Sequence, residues 1–249
     1  MSDNELSIVG GLKKYGEVSA LAGVTLSLRP ASITTVIGPS GSGKTTLLRA
    51  LSLLEPPDAG VVTFDGRQYT FPMDEDVPLH SPWPMVTIVF QHLFLWPHLT
   101  IRQNIELPLR FRKDLDGRAN IGELCDYFQM GAFEARFPNQ VSAGQRQLGA
   151  IVRAMALRPK YLLLDEITSA LDVEYVGLVL QRLQRLKAEG TGILLVTHLL
   201  GFARRAADLV VFMDAGSIVE CGPPDILRMP GSDRLCQFLS RMDGVGQGP

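Results

Sequence analysis

An α/β fold, with a largely parallel sheet covered by helices on both faces, is predicted by three observations. Apolar runs of strand length, "YLLLD" (161–165), "ILLVT" (193–197) and "LVVFM" (209–213), alternate with stretches whose apolar residues keep a helical period. A strand-like run, "ITTVIG" (33–38), leads through a glycine-rich loop into a leucine-striped helix. The 249 residues can bury a full core, so one α/β unit with a smaller appended lobe fits the length.

In chain order, "LSIVG" (6–10), "VTLSLRP" (24–30) and "ITTVIG" alternate apolar and polar residues and read as strands ending at the glycine loop. From Lys44, leucines 47, 48, 51 and 54 mark one helix face, and "EPPDAG" (55–60) stops it. Residues 60–90 hold further strands around "FDG" (64–66), with the Pro-rich "FPMDEDVPLHSPWP" (71–84) expected as an exposed loop. Residues 97–137 mix capping and charged residues with spaced apolar ones and predict a small helical lobe. Leu148, Ile151, Val152 and Met155 stripe one later helix; Val176, Val179, Leu180, Leu183 and Leu186 stripe another. The tail "GVGQGP" (244–249) is expected to fray.

The formal net charge is −2 and the basic residues are scattered, which argues against nucleic acid as a partner. Cys125, Cys221 and Cys236 form no paired motif and read as reduced packing residues. The N-terminal "MSDNELSIVG" has neither a basic nor an apolar signal region, so a cytoplasmic location is expected. No run of about 18 apolar residues occurs, so any membrane role is expected to come through a partner.

"GPSGSGKT" (38–45) fits G-x-x-x-x-G-K-[ST] between a strand and a helix. In such a loop the backbone N–H groups around Gly38, Ser40, Gly41 and Gly43 converge on phosphate oxygens. Lys44 then neutralises the β and γ phosphates, and Thr45 offers a hydroxyl to Mg²⁺. "YLLLDE" (161–166) puts Asp165 and Glu166 at a strand end: Asp165 suits a magnesium ion, and Glu166 suits an attacking water. "VSAGQRQ" (141–147) has Ser142 and Gln145 spaced as a capping box, S-x-x-Q. Ala143 and Gly144 between them are small enough to leave the helix N–H groups open to an anion.

With "VSAGQRQ" upstream of "YLLLDEITSALD", the chain resembles the ATP-binding cassette (ABC) ATPases over nearly its whole length. Tyr15 in "KKYGEVSAL" matches the family's adenine-stacking aromatic and Gln91 its Q-loop glutamine. "SALD", Ser169 to Asp172, matches the D-loop, and His198 in "LLVTHLL" the switch histidine. The resemblance implies a P-loop cassette: a mainly parallel RecA-like sheet, an N-terminal antiparallel β subdomain and a small α-helical subdomain. It implies one ATPase domain over 1–249, with the helical subdomain spanning about 92–150. ATP and Mg²⁺ are the implied ligands, with Lys44, Gln91, Glu166 and His198 catalytic and Thr45, Gln91 and Asp165 at the metal. Tyr15, Gly38, Ser40, Gly41, Gly43, Lys44, Thr45 and Thr46 would hold nucleotide. Ser142, Gly144, Gln145 and Asp172 would do so across a head-to-tail dimer, where the signature helix of one copy meets the phosphate on the other's loop.

The free-standing cassette implies separate transmembrane permease subunits, a second cassette expected as a copy of the same chain in a homodimer, and a substrate-binding protein reached through the permease. Its implied place is peripheral, on the inner face of the cell membrane. "HLFLWPHLTIRQNIELPL" resembles the groove where an importer permease inserts a coupling helix, with Phe94, Trp96 and Leu99 as an expected apolar floor. The downstream sequence is most similar to bacterial polar amino acid uptake cassettes. The competing class is a soluble cassette ATPase of a cluster-assembly or similar complex; no coiled coil or tandem cassette supports the other non-transport types. The chain departs from the family at Val141, Ala143, Ile167 and Leu199. The Ala143 methyl is expected to slow or loosen closure, which an Ala143→Gly variant of unchanged ATPase rate and unchanged ATP-dependent dimerisation would refute.

Overall fold

The computed structural model describes residues 5–74, 78–111 and 117–245. Strands β1 (Leu6–Tyr15), β2 (Val18–Leu28), β4 (Ala59–Phe64) and β5 (Arg67–Phe71) form an antiparallel sheet in the order β2-β1-β4-β5. A second sheet runs β10-β9-β3-β8-β7-β6, built from β3 (Ile33–Ile37), β6 (Val86–Val89), β7 (Tyr161–Asp165), β8 (Gly192–Val196), β9 (Leu209–Asp214) and β10 (Ser217–Gly222). Strands β9, β3, β8, β7 and β6 are parallel, as the apolar runs predict; β10, at the edge, pairs antiparallel with β9.

Every residue of β3, β7 and β8 is buried, because helices or the other sheet cover both faces. The two-residue period of a strand divides the core. Tyr161 and Leu163 of β7 face the antiparallel sheet and α1 (Lys44–Leu51), packing with Leu6, Ile8 and Leu47. Leu162 and Leu164 face the other way, into α4 (Ala143–Ala156) and α5 (Val173–Ala188). Each fully buried leucine contributes about 1.5–3 kcal/mol relative to leaving it exposed. A third cluster packs Val210 and Phe212 of β9 against α6 (Leu200–Ala206) and α7 (Asp233–Val245).

The segment expected to be a helical lobe contains α2 (Ile101–Glu106) and α3 (Gly117–Tyr127). Thr100 caps α2 through a capping box with Gln103. Gly149 lets α4 approach α2, since a Cβ there would lie 2.9 Å from Ile101 Cγ2. The expected stripe on α4 is buried throughout; on α5 Val179, Leu183 and Leu186 are buried and Val176 and Leu180 half-buried.

Three expectations are corrected. Leu54 is not on the α1 face: the helix ends at Leu51, Leu53 turns back at φ +53°, and Leu54 is 59% exposed. In the Pro-rich stretch Phe71 ends β5 and is buried, as is Pro82, while the other described residues are exposed or half-exposed; 75–77 lie outside the described residues. Cys125 is buried among apolar side chains, with its thiol pushed up to about 12 by burial and by Glu134, but Cys221 and Cys236 are exposed and do not pack. Of the tail expected to fray, residues 244 and 245 still belong to α7, and 246–249 lie outside the described residues.

Candidate functional site

Strands β3, β8 and β7 are parallel neighbours, and Val196 of β8 is in register with both Val36 and Asp165. Their C-terminal ends therefore deliver the 38–43 loop, the 197–198 segment and the 165–166 carboxylates to one edge of the sheet, where open α/β sheets place ligands.

The loop is shaped by close backbone approach. At Gly43, φ is +97° and a Cβ would lie 2.2 Å from the Ala20 carbonyl oxygen, so no other residue fits. Gly43 caps α1 with no side-chain hydrogen bond, and the first turn holds no acidic residue. The amide end of the helix, with its partial positive charge, is left for an anion. Gly38 and Gly41 also take positive φ, and Ser40 is exposed beside them.

Lys44 is largely buried and its Nζ donates to the Gly38 and Pro39 carbonyls at 3.0 and 2.7 Å and to Ser42 Oγ at 3.3 Å. Burial holds its ammonium below the usual lysine value, against the opposing pull of Glu166 and Asp165. Thr45 Oγ1 donates to Asp165 Oδ2 at 2.8 Å, joining α1 to the end of β7. Asp165 is 4% exposed, and burial raises its carboxyl pKa, with the neighbouring Glu166 adding to the rise while Thr45 and Lys44 oppose it. The next residue, Glu166, is held at φ +50°, a conformation costly for a non-glycine residue. Its N–H donates to the Val196 carbonyl at 3.0 Å, and its Oε1 lies 2.5 Å from His198 Nε2.

Tyr15, at the end of β1, is 43% exposed, and its hydroxyl bonds the side chains of Glu55 and Thr46. Burial and the Glu55 carboxylate raise its pKa. Through Thr46 in the first turn of α1, the aromatic ring is tied to the loop.

Ser142, Gly144 and Gln145 belong to a different corner. Ser142 Oγ accepts from Gln145 N–H at 3.2 Å and Gln145 Oε1 accepts from Ser142 N–H at 3.0 Å, the capping box expected from the sequence. A Cβ at Gly144 would lie 2.9 Å from the Ala170 carbonyl oxygen, so its smallness is needed by the 169–172 turn as well. In that turn Ser169 Oγ donates to the Glu166 carbonyl, and Asp172 caps α5 by accepting from Tyr175 N–H at 3.0 Å. Among the described residues no hydrogen bond joins the Ser142 corner to the glycine loop. Gln91 follows β6, exposed, with no hydrogen bond to Thr45 or Asp165 among the described residues.

Of the expected apolar floor, only Trp96 lines a groove; it has a volume of about 540 Å³ and is walled by Trp83, Ile88, Leu107, Phe111 and Arg153. Phe94 is 69% exposed against the edges of Phe90 and His92, and Leu99 turns its carbonyl to Asn104. Neither is among the residues that line the groove, and Phe94 takes a left-handed φ of +45°. Sequence reasoning missed Arg153, whose guanidinium donates to the Leu93 and Phe94 carbonyls and is held below the usual arginine value by burial. An arginine within the apolar "AIVRAMAL" was the available signal. It also missed Glu55 and Ser42, the partners of Tyr15 and Lys44.

The raised Asp165 pKa carries a stability consequence. A carboxylate with a raised folded pKa stabilises the fold only below its ordinary value and loses that contribution as pH rises through the folded one. At neutral pH its charge therefore opposes folding, and Asp165→Asn, which still accepts from Thr45, is expected to raise the nucleotide-free melting temperature by about 2–4 °C for each kcal/mol relieved. The gain is expected at pH 7 and to disappear near pH 4, the ordinary aspartate range. Thermal melts at both pH values check this; a lower melting temperature at pH 7 contradicts it.

A glycine loop, its lysine and a strand-end carboxylate at the carboxyl edge of a parallel sheet define a P-loop nucleotide hydrolase. A family model described as ABC transporter matches residues 21–169. The chain is 39% identical over 234 residues to the arginine transport ATP-binding protein ArtM of Bacillus subtilis, covering 92% of this chain and 96% of that protein. It is 38% identical over 252 residues to the histidine/lysine/arginine/ornithine transport ATP-binding protein HisP of Salmonella typhimurium, covering 96% and 98%. The dimeric post-hydrolysis structure of the ATP-binding cassette MJ0796, bound to ADP and Pi, superposes with a TM-score of 0.78 at 31% identity, covering 88% of this chain and 98% of that one. The chain belongs to the ABC transporter family, as its ATP-hydrolysing cassette. Among the described residues no helix is long and apolar enough to cross a membrane.

Proposed function

We propose that the chain is the ATPase subunit of a bacterial importer for polar amino acids or similar small solutes, lying on the inner face of the membrane against permease subunits. The observation that carries the mechanism is the convergence of Lys44, the Thr45–Asp165 bond and the Glu166–His198 pair at one sheet edge. The substrate class rests on the relatives named above.

In this reading the loop amides from Gly38 to Thr46 and the Lys44 ammonium hold the ATP phosphates, with Tyr15 against the adenine. Thr45, Asp165 and Gln91 offer hydroxyl, carboxylate and amide oxygens, the donor types that fit Mg²⁺; when bound, the ion offsets charge on the phosphate oxygens. Glu166 takes a proton from water as its oxygen bonds the γ-phosphorus, the bond to the β–γ bridging oxygen breaks, and ADP and phosphate leave. His198 holds the Glu166 carboxylate in direction. Ser142 and Gly144 face the γ-phosphate on a second copy, with Gln145 fixing Ser142 and Asp172 linking the two sites. ATP thus closes the dimer and hydrolysis opens it. The helical segment, about 92–150, carries the Trp96 groove to the permease, and an external substrate-binding protein delivers solute from the other side. The non-transport alternative is disfavoured because relatives matched along nearly their full length are transport proteins.

The test is mild detergent extraction of membranes carrying the tagged chain. A co-purifying multi-span membrane protein is expected; recovery with soluble partners only, from the non-membrane fraction, overturns the importer reading.

A further inference from the structure

At the opposite edge of the parallel sheet, before the first residues of β6, β7 and β8, lies a cavity of about 850 Å³, a size typical of small-molecule sites. Four cationic side chains line it, Arg158, Lys160, Arg182 and Arg185, against two carboxylates, Glu123 and Glu189; with Asp65, which pairs with Lys160 from outside the lining, one positive charge is left over. Lys160 is paired with Asp65 at 2.5 Å and Arg185 with Glu189 at 3.2 Å. Arg182 is not so served. Its side chain is only 12% exposed, it stands 3.8 Å from the Glu189 carboxylate that Arg185 already holds, and its buried Nε–H has no acceptor among the described residues. Its guanidinium instead lies over the Tyr127 ring, 6.0 Å from the centroid. A buried guanidinium short of acceptors is costly unless an anion meets it. Arg158, exposed at the rim, makes no ion pair among the described residues. Leu124, Met155 and Leu186 make the remaining floor apolar.

We propose that this cavity binds a small organic oxyanion, a carboxylate or phosphate on an apolar body. Arg182 and Arg158 take the charged end, Tyr127 and Leu124 the apolar one. Guanidinium groups suit both oxyanions through their planar fork of donors. Tyr127 comes from α3 and Arg182 from α5, so an occupant ties the helical segment to the sheet core, away from the nucleotide edge.

The experiment is a ¹⁹F NMR titration of the full chain with 4-fluorobenzoate and with 4-fluorophenyl phosphate, and with 4-fluorobenzylamine as a cationic control. Saturable binding of at least one anion is expected, weakened about tenfold or more by Arg182→Gln and by Arg158→Gln and unchanged by Lys44→Ala. The better anion identifies the head group. The proposal is overturned if neither anion saturates, if the amine binds as well, or if both arginine variants bind like the wild type. Loss of binding in Lys44→Ala would also overturn it, by placing the anion on the glycine loop. If Arg182→Gln fails to fold, the exposed Arg158→Gln decides.

Discussion

Glu166→Gln is expected to slow ATP hydrolysis by about 10²- to 10⁴-fold, the usual loss on removing a positioned base, and to leave an ATP-bound dimer in solution. The geometry separates the two effects. Glutamine keeps the size of the side chain and can still meet His198 Nε2, now 2.5 Å from the carboxylate, but it cannot accept a proton from water. The backbone contribution is retained too, because the Glu166 N–H bond to Val196 and the φ of +50° do not depend on the charge. In the proposed arrangement nucleotide is held by other residues, so ATP is expected to enter still and closure to go without its reversal. Phosphate release measures the first effect and light scattering at saturating MgATP the second. Wild-type turnover would remove Glu166 from the mechanism. Slow turnover without a dimer would keep the base and sink the head-to-tail arrangement, once addition of the permease had also failed to bring two copies together.

How much of this was legible in the sequence depended on range. The glycine loop, the Ser142–Gln145 capping box and the buried strands are written in short segments, where spacing translates directly into geometry. The partners that complete the site come from far along the chain. Glu55 meets Tyr15 across 40 residues, and Gly144 must be small because Ala170 crosses it; neither contact leaves a local pattern. Leu54 kept the helical period yet fell outside α1, because Leu53 takes a left-handed conformation and ends the helix first. Phe94, which also takes a positive φ that its sequence does not announce, lies outside the groove. The antiparallel β10 follows from the tight Ala215–Gly216 turn after β9, both residues at positive φ, which leaves no length for a crossover helix.

Lys44→Ala is expected to bring hydrolysis below detection. The ammonium is the one cation that the loop folds inward, held by two carbonyls and Ser42 Oγ, with Asp165 and Glu166 near enough to pull its pKa upward against burial. Those carboxylates would otherwise repel a polyphosphate, so on the proposed role of Lys44 its removal is expected to subtract attraction to the β and γ oxygens and to expose that repulsion together. Lys44→Arg is expected to fail as well, because a planar guanidinium does not fit a pocket formed around a compact ammonium. The same burial sets a pH limit. A lysine whose folded pKa is lowered loses its charge before the ordinary value of 10.5, so the alkaline limb of kcat/KM in the wild type is expected below that value. A thermal melt separates catalysis from folding: the variant should melt within about 4 °C of the wild type, a change worth roughly 1–2 kcal/mol in a chain of this size. Retained wild-type turnover in a folded Lys44→Ala protein would move the phosphate site away from this loop, and with it every role assigned to its neighbours.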